Sequence, residues 1–115
     1  MKLNRNTLRC RLEELADEAE QKRLWLGGST DEMSSFSEAQ CGVFNDSGLG
    51  RMLDKGVVAS EFGPDVAKLA LELRSLCKMI PTNVPETEVI DDEVMLLIRV
   101  VANQLLHTSI VQPED

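Results

Sequence analysis

Gly63-Pro64-Asp65-Val66-Ala67-Lys68-Leu69-Ala70-Leu71-Glu72-Leu73-Arg74-Ser75-Leu76-Cys77-Lys78-Met79-Ile80-Pro81 is the stretch that decides the fold class. Val66, Leu69, Ala70, Leu73, Leu76, Cys77 and Ile80 recur at steps of three and one, which gathers them on one stripe of an α-helix. Pro64 suits the first helical position, since it has no amide hydrogen to waste and its φ is already fixed near the helical value. Pro81 ends the run, because its ring disfavours the helical conformation in the residue before it.

Toward the C-terminus, residues 81–88 carry two prolines and read as a connector. Asp91, Asp92 and Glu93 then place negative charge where a helix N-terminus is positive, and Val94, Leu97, Ile98, Val101, Ala102 and Leu105 form a second stripe. Met95, Leu96, Val100 and Leu106 make this helix apolar on most sides, as expected at the centre of a bundle, although its β-branched residues also permit a strand there. Toward the N-terminus, Leu8, Leu12, Leu15, Ala16 and Ala19 predict one helix over residues 6–26, with Glu13, Glu14, Glu18, Glu20 and Lys22 facing water. Gly27-Gly28 supplies the backbone freedom that helix C-termini use.

Between these helices the chain is polar and broken. Ser35-Phe36-Ser37-Glu38 matches a capping box and predicts a short helix with Phe36, Ala39, Val43 and Phe44 on one face, closed by Asn45-Asp46-Ser47-Gly48. Leu49, Met52 and Leu53 suggest a further turn before Gly56. The fold reading is all-α: one domain over residues 1–115, a small helical bundle of about four main helices with an irregular acidic segment between the first and third.

The chain has 115 residues, with 20 acids against 12 bases and a formal net charge of −8. A balance this acidic repels a phosphate backbone and suits a cationic protein partner. The charge is segregated: residues 1–26 carry +1 (five acids, six bases), 27–66 carry −5 (seven, two), 67–80 carry +2 (one, three) and 81–115 carry −6 (seven, one). A cationic partner is therefore expected at the acidic segments, with Asp31, Glu32, Asp46 and Asp54 as the candidate contacts.

Cys10, Cys41 and Cys77 are odd in number and lack a C-x-x-C pair, which fits reduced thiols in a cytoplasmic protein. The basic start has no apolar run behind it, so no signal peptide is expected, and residues 94–106 are too short and polar for a membrane span. The one histidine, His107, lies seven intervening residues from Arg99, a wider spacing than the Arg–His pair of helical ribonucleases, and fits a cation near a helix C-terminus. Gly48-Leu49-Gly50 lacks the third glycine of a dinucleotide loop. Asp91-Asp92-Glu93 reads as a helix cap in preference to a metal site, which needs further oxygen ligands. No catalytic residue, cofactor or metal is expected.

The pattern Leu12-x-x-Leu15-Ala16-Asp17-x-x-x-Gln21-x-x-x-Trp25, the turn Asn45-Asp46-Ser47-Gly48-Leu49, and Asp91-Asp92 ahead of Val101-Ala102 together resemble the small helical immunity proteins of bacterial contact-dependent growth inhibition systems. The resemblance spans most of the chain. It implies a non-enzymatic cytoplasmic protein that binds the toxic C-terminal domain of an effector, in many systems a nuclease, and masks its basic active-site or substrate-binding surface. The alternatives are a second binding reading, an acidic antitoxin or DNA-mimic inhibitor, and an enzyme reading, a small helical nuclease in which Arg99, His107 and a carboxylate converge.

Overall fold

The computed structural model describes residues 2–27 and 34–112, and every regular element among them is helical. The elements are α1 (Arg5–Ala16), α2 (Glu18–Trp25), α3 (Phe36–Cys41), a π-helical turn (Gly42–Asp46), α4 (Leu49–Asp54), α5 (Val57–Phe62), α6 (Pro64–Lys78), α7 (Glu86–Asp91) and α8 (Glu93–Leu106). The all-α bundle expected from periodicity is present.

The single helix expected over residues 6–26 is divided. At Asp17 the backbone turns extended (φ −122°, ψ 111°), and its carboxylate accepts from the amides of Ala19 at 2.9 Å and Glu20 at 3.3 Å. An aspartate that caps the next helix with its own side chain competes with helix continuation, which is why the apolar stripe runs on while the helix does not. Ser35 begins α3 as its capping pattern predicts, accepting from the Glu38 amide at 3.1 Å. Phe36, Ala39, Val43 and Phe44 are all buried. The helix then widens into the π turn at Gly42, where an added Cβ would stand 2.3 Å from Cγ of Arg11. Ser47 closes the turn by donating to the Val43 carbonyl, and Gly48 takes a φ of +90° to enter α4.

The segment expected to be irregular between the first and third predicted helices is thus largely helical in short pieces. Helix α5, which has no periodic cue among its residues, buries only Val58, too little for a stripe to be visible. Helix α7 likewise begins inside the predicted proline connector, directly after Pro85.

The core is one cluster. Helices α1 and α6 both pack along α8, and α5 packs on α6. Leu8, Leu12 and Leu15 of α1 meet a core that includes Met95, Ile98, Ala102 and Leu105 of α8 and Leu73 of α6, all with no exposed surface. Each such large aliphatic side chain stabilises the fold by about 1.5–3 kcal/mol. One expectation for α8 changes here. Leu97, assigned to the buried stripe, faces outward, and Met95 takes an inner position. A helix apolar on two sides does not specify which side packs; its neighbours α1 and α6 do.

Candidate functional site

Of the four predicted contact residues, Asp31 and Glu32 lie outside the described residues. Asp46 and Asp54 are exposed and are brought to adjoining surface clefts by the π turn and α4. Asp46 lines a cleft of about 520 Å³ with Lys2, Asn4 and Arg51, and a second of about 510 Å³ with Asn6, Thr7, Cys10 and Arg11. Asp54 lines a third, of about 410 Å³, with Phe44, Arg51 and Arg74. Asn45 and Arg51 belong to both the first and the third, so these clefts form one continuous surface around the turn.

The turn is held rigidly. The Asn4 amide donates to the Ser47 carbonyl at 2.8 Å, which ties the start of α1 to it, and the Leu49 amide donates to Ser47 Oγ at 3.1 Å. The charge of the clefts is mixed. Asp54 is bonded to the Arg74 guanidinium at 2.9 Å, so its negative charge is largely answered within the chain. Asp46 has no ion pair among the described residues and points its charge to solvent beside Lys2 and Arg51. This arrangement can dock polar or charged groups.

Arg99 and His107 are kept apart. Arg99 turns inward: its Nε donates to Gln21 Oε1 at 3.0 Å, and one terminal nitrogen donates to the Ile90 carbonyl at 2.7 Å. His107 caps the exposed end of α8 with Nδ1 2.8 Å from the Asn103 carbonyl, so Nδ1 carries a proton. Asp92 accepts from the Val94 amide at 2.8 Å, the capping role expected of it, and among the described residues no group of three or more His, Cys, Asp or Glu could hold a metal ion. Burial pushes the Cys77 thiol from its ordinary 9.0 up to about 12, as befits a core side chain, while Cys10 and Cys41 are exposed thiols.

The densest polar network is one that sequence reasoning missed. Glu14, expected to face water, is buried and accepts from Trp25 Nε1 at 2.6 Å and from Arg11 at 2.9 Å; Arg11 in turn donates to Ser34 Oγ at 3.2 Å. Gln21 is fully buried beside it. Its Nε2 donates to the carbonyls of Glu14 (3.1 Å) and Leu15 (2.9 Å), which the break at Asp17 leaves without helical partners. Arg99 also reaches Glu18, at 3.7 Å; a hydrogen bond and the charge of Lys22, followed by the charge of Arg99, hold the Glu18 carboxyl below its usual range. The signal was present in the sequence: Asp17 with Glu20 three residues on is itself an N-terminal capping pattern inside the apparent helix.

This network changes what the resemblance rests on. Leu12, Leu15, Asp17, Gln21 and Trp25, its first-helix pattern, are the residues that build and seal the α1–α2 break. They carry the fold of this corner, whereas the exposed carboxylates carry its surface chemistry. In comparisons with known proteins, no family model, curated protein or solved structure matches the chain.

Proposed function

We propose that the protein acts by binding: it neutralises a cationic partner domain, as an immunity protein would a nuclease toxin in the cytoplasm, by covering the basic surface with which that partner engages its substrate. One observation carries this reading. Half of the chain's twelve lysines and arginines are engaged within it, in the pairs Arg9–Glu13, Arg11–Glu14, Lys22–Glu18, Arg23–Glu20, Arg74–Asp54 and Arg99–Glu18. The surplus acids Glu38, Asp46, Glu61, Glu88, Asp91 and Glu93 are left exposed, with no ion pair among the described residues. Uncompensated surface carboxylates accelerate encounter with a basic protein and repel nucleic acid, the competitor for the same surface.

Co-expression with a toxin domain encoded beside this gene tests the reading. Toxicity should be relieved, and a complex should survive size-exclusion chromatography and weaken as salt is added. Undiminished toxicity with no complex refutes it. Reversing Asp46 to Lys should slow association; reversing Asp54 should matter less, since Arg74 already answers its charge.

A further inference from the structure

Helix α8 has two apolar faces and the bundle covers one. Met95, Ile98, Val101, Ala102 and Leu105 are buried, but Leu96, Leu97 and Val100 remain 59%, 55% and 56% exposed. The other large exposed hydrophobics, Leu26, Leu71 and Met79, stand on other elements and do not form such a group along one helix. Leu97 and Val100 belong to a longer exposed line, Glu93, Leu97, Val100, Gln104 and His107, whose spacing of four, three, four and three is that of a helix-pairing seam. It runs about 21 Å along the helix.

The seam is acidic at one end. Glu93 opens it, and Glu88 and Asp91 of α7 precede it directly, all exposed and without an ion pair among the described residues. The one Lys or Arg of α8, Arg99, points away: its side chain is 11% exposed and is held by Gln21, the Ile90 carbonyl and Glu18. Of α8's own residues, the outward face therefore offers aliphatic contact and the Glu93 carboxylate, with no arginine or lysine.

We infer that this face of α8 is a docking surface for a basic amphipathic helix of a partner protein, whose apolar stripe covers Leu96, Leu97 and Val100 and whose Lys and Arg residues meet Glu88, Asp91 and Glu93. A second copy of the chain fits poorly. The three side chains offer on the order of 300 Å² per copy, about half of what a stable contact requires, and self-association opposes two chains of charge −8. A basic helix replaces that repulsion with charge complementarity over the same apolar contact. The inference rests on the binding reading only in taking the partner to be cationic; the partner need not be a toxin.

The probe is a labelled helical peptide with Leu at its a and d positions and Lys elsewhere, with a Glu-for-Lys version as control, followed by fluorescence anisotropy. The Lys peptide should bind the full chain, and the Glu peptide at least tenfold more weakly. Leu97→Ser with Val100→Ser should weaken the Lys peptide at least tenfold while circular dichroism stays unchanged, because both side chains are solvent-facing. Asp91→Lys with Glu93→Lys should weaken it similarly and flatten its salt dependence. Failure of the Lys peptide to bind, or equal binding to either double variant, overturns the inference. So does sedimentation as a dimer that Leu97→Ser dissociates, which makes a second copy the occupant, or binding to zwitterionic vesicles that the same variant abolishes. A toxin complex that persists in the Ser double variant, with peptide binding lost, refutes the link to the toxin alone; peptide binding without toxin protection refutes the immunity reading alone.

Discussion

Trp25→Phe isolates the contribution of one hydrogen bond to the junction of α1 and α2. The indole Nε1 donates at 2.6 Å to a Glu14 carboxylate that is only 6% exposed, and the ring stands edge-on to Phe36 at 6.0 Å between centroids. Phenylalanine keeps much of the ring contact and deletes the donor. A bond to a charged acceptor contributes about 1.5–3 kcal/mol, and the smaller ring leaves a void costing about 1 kcal/mol more. The expected loss is then about 3 kcal/mol. For a chain of 115 residues the unfolding entropy near the midpoint is about 0.24 kcal/mol/K, so Tm should fall by about 12 °C. Arg11, at 2.9 Å from the same carboxylate, keeps the variant folded by leaving the charge partly answered. The decisive measurement is the cycle with Glu14→Gln, by urea denaturation. In that background Trp25→Phe should cost about 1–2 kcal/mol less, because the charge-assisted part of the bond is already gone. Equal costs in the two backgrounds, within about 0.5 kcal/mol, would falsify the claim that Trp25 acts through Glu14.

Gln21→Met preserves length but removes the donor to two carbonyls and the acceptor of Arg99, and should destabilise by about 2–4 kcal/mol in chemical denaturation; a neutral result would mean that water replaces the amide. Asp17→Ala should cost about 1 kcal/mol and Asp17→Asn much less, since asparagine also caps; identical losses would remove capping as the cause. Cys10 and Cys41 should react with a thiol reagent in the native protein and Cys77 only on unfolding. Because the unfolded chain ionises Cys77 near its ordinary 9.0 while the fold holds the proton to about 12, this contribution to stability is complete below pH 9 and declines between pH 9 and 12; Cys77→Ala should flatten that part of the profile, and an unchanged slope refutes the assignment.

How much of the molecule could be read from its residues depended on whether one signal acted alone. Helix α6 was legible end to end, because Pro64, a one-sided stripe and Pro81 all point the same way. The spacing of Leu49, Met52 and Leu53 marked α4, whereas α5 and α7, six residues each, are too short to show a stripe and take their boundaries from packing. In α1 and α2 two signals conflicted: a continuous apolar stripe against an internal cap at Asp17. The cap prevailed because the broken carbonyls acquired a new donor in Gln21, seventy-eight positions in sequence from the Arg99 that orients it. That long-range bond also explains Glu14. A charge between Leu12 and Leu15 reads as solvated until the break swings Trp25 back over it.

For the candidate site the division is similar. Charge counts located the acidic segments, but whether an acid is free to act depends on the cations around it in space. Asp54 fails that condition beside Arg74, while Glu88, Asp91 and Glu93, assigned to a connector and a helix cap, satisfy it. The same holds for α8, where apolar residues on both sides suggested a central helix. Because only one side is covered, the excess of Leu96, Leu97 and Val100 lies at the surface. Glu93 stands one helical turn before Leu97 on the same exposed line, so on the proposed docking surface a partner that covers the aliphatic residues must also meet a carboxylate. An affinity that responds to Leu97→Ser but not to Asp91→Lys with Glu93→Lys, or the reverse, would therefore show that the two do not act as one surface.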